Sequence, residues 1–234
     1  MAMNPRTHTR GAKPDFTLPK PNPSSYQTDA LWWLVQMRLL LVPGTRNGGT
    51  YANKPGSHNI GRQLPTSDHS LSPVALNRSG PWWSSKCSAH DWTFTDAQGG
   101  DFSTISLYTD RLIDAMEDPA DPRPGMVYHY TIGQRDRDRI VEAYQEIKEE
   151  HFTSSDMTHL WHRHDSFLRS AVGDFWKMWA ALTIDMGWTV AEWKRSLPEA
   201  PAPAPAPKPP VVSSMLRPVC AATRPVWLRA MPMS

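Results

Sequence analysis

Three histidines fall within six residues, His159-Leu160-Trp161-His162-Arg163-His164. Imidazole is the commonest metal ligand and carries protons near neutral pH, so this spacing points to metal binding, acid–base chemistry or both. On an extended strand side chains alternate faces, which puts His162 and His164 on one side about 7 Å apart. One could bind a metal while the other moves protons. Asp91 lies among apolar neighbours in Ala89-His90-Asp91-Trp92-Thr93-Phe94, a costly place for a carboxylate unless a cation or hydrogen-bond donors compensate. Two further histidines stand in polar contexts, His58 in Gly56-Ser57-His58-Asn59-Ile60-Gly61 and His69 in Ser67-Asp68-His69-Ser70. One upstream histidine, Asp91 and either His162 or His164 would make the three-ligand set of a catalytic zinc, with a fourth position left for water. The other histidine of the pair and Asp156 are then the candidates for proton transfer. The competing reading is a solvated histidine run on a fold that holds no metal.

The elements that must position these groups follow from periodicity and punctuation. Thr28-Asp29 caps a helix running to Leu41, which Pro43-Gly44 stops. Residues 45–88 are rich in Gly, Asn, Pro and Ser, which implies long loops and short strands. Residues 89–94 form a strand, and Ile105, Tyr108, Leu112, Ile113 and Met116 recur at helical spacing behind an Asp101 cap. Residues 126–132 alternate as a second strand. Ile140, Tyr144, Ile147 and His151 predict a second amphipathic helix with His151 on its apolar face, and residues 158–167 a third strand carrying the histidines. A stripe from Val172 through Trp179 to Met186, and a short helix over residues 189–197, complete the predicted domain. The expected class is α+β, a small antiparallel sheet carrying the metal site and flanked by helices.

Composition narrows the partners. Twenty-five basic against 23 acidic residues give a net charge of +2, without the basic footprint that nucleic-acid binding needs. The longest apolar run, residues 30–42, is broken by Gln36 and Arg38 and is too short to span a bilayer. Two cysteines, Cys87 and Cys220, make no disulfide framework. The first 20 residues lack the apolar run of a secretory signal. Five prolines in residues 1–25 suggest a disordered arm, so the domain is expected over residues 26–197. Residues 198–210 read as an Ala-Pro spacer, and residues 211–234 are a tail with no periodicity. Most of the eleven tryptophans should fill the core, with Trp82, Trp83 or Trp161 a candidate to contact peptide or glycan.

The order of His58 or His69, then Asp91, then His162-Arg163-His164 resembles the zinc D-Ala-D-Ala carboxypeptidase and L-alanyl-D-glutamate endopeptidase group, whose fold is shared with the hedgehog signalling domain. The motifs Asp91-Trp92-Thr93-Phe94 and His159-Leu160-Trp161-His162-Arg163-His164 are also similar to a form seen in actinobacterial and phage proteins. The resemblance covers the stretch from His58 to His164. It implies Zn2+ held by His58 or His69 with Asp91 and His164, and His162 in proton transfer or oxyanion stabilisation. It implies hydrolysis of a peptide bond in peptidoglycan stem peptides, as in a phage lysin or cell-wall hydrolase. The chain departs from the group in a long insertion between the first histidine and Asp91, and in having His159 where a carboxylate would stand three residues before His162. That second departure motivates the alternative, a non-catalytic structural or binding protein of a virion or cell wall that keeps the scaffold. In either case the tail is a candidate for attachment to a larger phage or cell-wall assembly, and the missing Sec signal fits a phage-encoded cytoplasmic protein acting at the wall or a virion component.

Overall fold

The computed structural model describes residues 2–52, 55–59, 62–71, 86–135, 139–146, 148–153 and 156–199, with backbone alone at 55–59 and 62–66. A six-stranded antiparallel sheet runs in the order β1-β4-β8-β5-β6-β7. Its strands are β1 (Thr45–Gly49), β4 (Ala89–Phe94), β5 (Tyr128–Arg135), β6 (Arg139–Tyr144), β7 (Glu149–Thr153) and β8 (His162–Phe167). A separate hairpin pairs β2 (Pro55–Asn59) with β3 (Arg62–Thr66). The helices are α1 (Asp29–Leu41), α2 (Thr95–Gln98), α3 (Ser103–Glu117), α4 (Arg123–Val127), α5 (Phe175–Asp185) and α6 (Val190–Ser196). The class is α+β with one small antiparallel sheet. Among the described residues no helix is long and apolar enough to cross a membrane.

Local chemistry explains the helix ends. The Thr28 hydroxyl accepts from the Leu31 amide at the start of α1, and Asp174 caps α5 through the Trp176 and Lys177 amides. At α6, Thr189 and Glu192 form a reciprocal capping box. Asp101, the predicted cap, lies one residue before the N-cap position that Phe102 occupies, and accepts from the Ser103 amide at the entry to α3.

Strand alternation then sorts the chemistry. Asp91 pairs with His164, and His164 with Ile132, across the three central strands. Their neighbours point to the opposite face, where the helices pack: Trp92, Phe94, Arg163, Asp165 and His90 are all buried there. On that face Arg38 from α1 meets Asp165 at 2.6 Å and Asp185 at 2.9 Å, while Arg163 meets the same two carboxylates at 2.8 Å each. All four side chains are fully buried. His90 Nδ1 lies 2.9 Å from an Arg38 nitrogen, and Trp92 stacks beneath both guanidinium groups. The larger apolar core lies among α1, α3 and α5, with Trp33, Trp179 and Leu34 at its centre.

Three expectations are corrected. Residues 140–144 and 149–151, expected within one helix, are strands. They form β6 and β7, because alternation of Ile140, Glu142 and Tyr144 against Val141 and Ala143 pairs into the sheet, and Lys148 turns the chain with a positive φ of 52°. Ile147 lies outside the described residues. His151 is accordingly exposed on the edge strand, not packed in the core. Residues 2–25 contain no helix or strand, yet they are docked rather than free. Phe16 packs at 5.2 Å from Trp33 and 4.9 Å from Trp176, and His8 stacks 5.9 Å from Trp188. Large aromatic contacts offset the ordering entropy that the prolines already reduce. The compact unit therefore extends over Met1–Pro198. Residues 200–234, the rest of the Ala-Pro spacer and the tail, lie outside the described residues.

Candidate metal centre

Three segments deliver the site. β8 carries His164 and β4 carries Asp91 into adjacent positions on the face opposite the buried charges. The third is the turn at Ser67–Ser70, closed by the Ser70 amide donating to the Ser67 carbonyl at 2.9 Å. This turn is fixed from both sides, because the Ala52 amide donates to the His69 carbonyl and the Ser88 amide to the Asp68 carbonyl. It places Asp68 and His69, both buried, against His164.

The proton positions follow from the partners. His69 Nδ1 is 3.2 Å from the Thr50 carbonyl, an acceptor only, so Nδ1 carries the hydrogen and Nε2 presents its lone pair. His164 Nε2 is 3.0 Å from Asp68 Oδ2, so this nitrogen donates to the carboxylate. His164 Nδ1 then faces His69 Nε2 at 3.2 Å and Asp91 Oδ1 at 2.8 Å, and the last two are 3.3 Å apart. Three electron-pair donors thus face one point. Left bare they repel, so a proton on His164 or a cation must lie among them. Bonds of about 2.0–2.1 Å to a tetrahedral zinc put its ligands about 3.3 Å apart, close to these separations.

The buried Asp68, His69 and His164 form a group that could hold a metal ion. Within it Asp68 addresses the far nitrogen of the His164 ring, while Asp91 stands on the same side as His69. The carboxylate of Asp68 also accepts from the Tyr130 hydroxyl at 3.1 Å and the His69 amide at 3.0 Å. Such an acid–imidazole pairing fixes ring orientation and raises ligand basicity. Asp68→Asn is therefore expected to weaken metal binding by about 10- to 100-fold with the fold intact, measured by competition with a chromophoric chelator.

Electrostatics agree with a cation-ready site. Burial disfavours charge on Asp91, but the hydrogen bond from His164 and the positive charge on that ring outweigh it and hold the carboxyl well below its usual range. Burial likewise opposes charge on His164, yet Asp68 and Asp91 hold its pKa well above the ordinary imidazole value. Without metal, the Nδ1 proton occupies the shared point, and a cation must displace it. Apparent affinity should consequently fall about tenfold for each unit of pH lost below the His164 pKa, with proton release on loading. Isothermal titration in buffers of different ionisation enthalpy measures that release.

The remaining candidates are placed as follows. His162 lies on the same face as His164, with Nε2 3.8 Å from Asp91 Oδ1. Burial lowers its pKa, leaving it a neutral base. His159 packs 4.5 Å from His162, ring to ring, and burial pushes its pKa down to about 4. Asp156 caps the 3-10 turn Met157–Leu160, accepting from the Thr158 amide at 2.9 Å and hydroxyl at 2.6 Å. Its other oxygen is 3.9 Å from His159 Nδ1. His58 lies on β2 opposite Gln63, and its side chain falls outside the described residues, as do Trp82 and Trp83. Trp161 is partly buried against the apolar cluster that Val42, Trp92, Phe94 and Ile105 form with Ala97 and Tyr108. Sequence reasoning passed over Asp68 and Tyr130. A carboxylate directly preceding His69 was the available signal for the first, whereas nothing in the sequence marked the second.

Comparison with protein-family models, with curated proteins and with solved structures returned no significant match.

Proposed function

We propose that this chain is a zinc-dependent peptidase of the D-Ala-D-Ala carboxypeptidase and L-alanyl-D-glutamate endopeptidase kind, hydrolysing a peptide bond in peptidoglycan stem peptides. The carrying observation is the convergence of His69 Nε2, Asp91 Oδ1 and His164 Nδ1 at mutual distances of 2.8–3.3 Å. Two imidazoles and one carboxylate suit zinc better than calcium or magnesium, which favour all-oxygen sites. The hedgehog/DD-peptidase fold is part of the same proposal, supported by the order of the ligands along the chain. Zinc bound there would supply Lewis acidity toward the scissile carbonyl and make a bound water more acidic.

The side chains supply the rest. Asp91 and His164 fix the reacting centre on strands of the sheet, where ligand geometry is better defined than on loops, and His69 joins them from the turn at Ser67–Ser70. His162, neutral and beside Asp91, accepts the proton of the attacking water and returns it to the leaving amine. His159 shields His162 from solvent and is itself held by Asp156, so Asp156 serves as an orienting group. Incubating the zinc-loaded chain with purified stem peptides, and identifying products by mass spectrometry, tests the reading. A new amine and carboxyl end at one bond supports it.

A second reading is a scaffold that binds zinc and stem peptide without turnover. It is favoured by the engagement of Asp156 with Thr158, which leaves an imidazole where the peptidase group has a free carboxylate. Stoichiometric zinc with uncleaved, bound peptide would select it.

A further inference from the structure

The spacing of the ligands raises a physical difficulty. Between His69 and Asp91 lie 21 residues, too many for chain connectivity alone to hold the two groups in register. Arg169, just beyond β8 and half-buried, answers it. Its Nη2 donates to the carbonyls of Ser67 at 3.2 Å and Ser70 at 2.9 Å, the two ends of the turn that carries His69. Its Nη1 donates to the Lys86 carbonyl, at the lead-in to β4 and Asp91. Arg169 itself follows His164 by five residues along the chain. One guanidinium therefore fastens all three ligand-bearing segments, and it joins the ends of the stretch between Ser70 and Lys86.

We infer that Arg169 is a positioning residue for the metal centre: its planar fork closes the base of the long segment between Ser70 and Lys86 and sets His69 against Asp91 and His164. This rests on the metal reading given above. A rigid fork suits the task because three carbonyls at fixed positions need donors in fixed directions, which a lysine ammonium matches only in part. The guanidinium touches neither the convergent donor atoms nor any reacting atom, so its effect passes through the turn.

The test compares the full-length wild type with Arg169→Met and Arg169→Lys, using cobalt(II) as the probe. Affinity is read by chelator competition, coordination by the visible ligand-field spectrum, and folding by far-ultraviolet circular dichroism and thermal melting of the metal-free chains. Arg169→Met should bind cobalt about 10- to 100-fold more weakly with an altered spectrum, and Arg169→Lys should recover part of the affinity. Should Arg169→Met not fold, a weakened affinity and shifted spectrum in folded Arg169→Lys carry the same support. A variant that melts lower yet binds cobalt with wild-type affinity and spectrum overturns the inference, because its role is then only structural. A wild type that takes up no cobalt overturns the metal reading itself, and this inference with it.

Discussion

On the zinc-peptidase reading proposed above, replacing His164 with alanine is expected to empty the metal site and to lower hydrolysis of a stem peptide by about a thousandfold, the equivalent of several kcal/mol of lost transition-state stabilisation. His164 is the hub of the constellation. Its Nδ1 faces both His69 and Asp91, and its Nε2 is oriented by Asp68. Removal takes away one donor and releases the carboxylate that aligned it. Asp91→Ala should behave alike, since Asp91 Oδ1 is within 3.3 Å of both imidazoles. Metal content by mass spectrometry and the rate of peptide cleavage measure the two effects, with circular dichroism as the control on folding. Asp156→Ala provides the contrast. Its carboxylate is spent on Thr158, so a loss below about tenfold is expected from weakened orientation of His159. An Asp156→Ala loss as large as that of His164→Ala would make Asp156, not His162, the proton acceptor.

Asp165→Asn should destabilise the protein by about 3–5 kcal/mol, the usual cost of leaving buried charges without their partner. The carboxylate lies between Arg38 and Arg163 and also accepts from the Thr131 hydroxyl at 2.8 Å. With the charge gone, two buried guanidinium groups share Asp185 alone. Domains of this size are stable by only about 5–15 kcal/mol, so the shift in the urea midpoint should be large. The substitution also changes the response to acid. Burial would raise the Asp165 carboxyl, but Arg163 and Arg38 outweigh it and hold the pKa below its ordinary value. A depressed folded pKa contributes stability that is complete above the unfolded value of about 3.9 and is lost as pH falls through the folded one. Below about pH 4, wild-type stability should therefore fall more steeply than that of Asp165→Asn. Equal slopes from urea titrations at several pH values would remove Asp165 from the acid response.

These two effects sit back to back on one strand. His162 and His164 take one face of β8 and Arg163 and Asp165 the other. The ion network holds α1, α5 and β8 in fixed relation, so the face of the candidate metal site rests on a support whose charges are paired. Gly48, beside Asp91 on β1, belongs to the same support. A Cβ there would stand 2.9 Å from the Asp91 carbonyl and 2.7 Å from Thr93 Oγ1, close enough to force the ligand strand aside.

By itself the sequence determined the local elements and the chemical inventory. Capping residues and a 3.6-residue period placed α1, α5 and α6 because helix ends and amphipathic faces depend on neighbours a few positions apart. Strand alternation put His162 and His164 on one face and His90 opposite Asp91 for the same reason. The tertiary structure decided what depends on distant pairing. Residues 139–144 and 149–153 became strands because a sheet edge was there to receive them, outweighing a charge pattern that also suits a helix. His69 joined Asp91 and His164 only through the turn at Ser67–Ser70 and the carbonyls that hold it, which no spacing rule encodes. Asp68, Tyr130 and Arg169 acquired their places beside the site in the same way. A hydrogen bond between residues nearly a hundred positions apart leaves no periodic trace in the chain, and only folding brings its partners within reach.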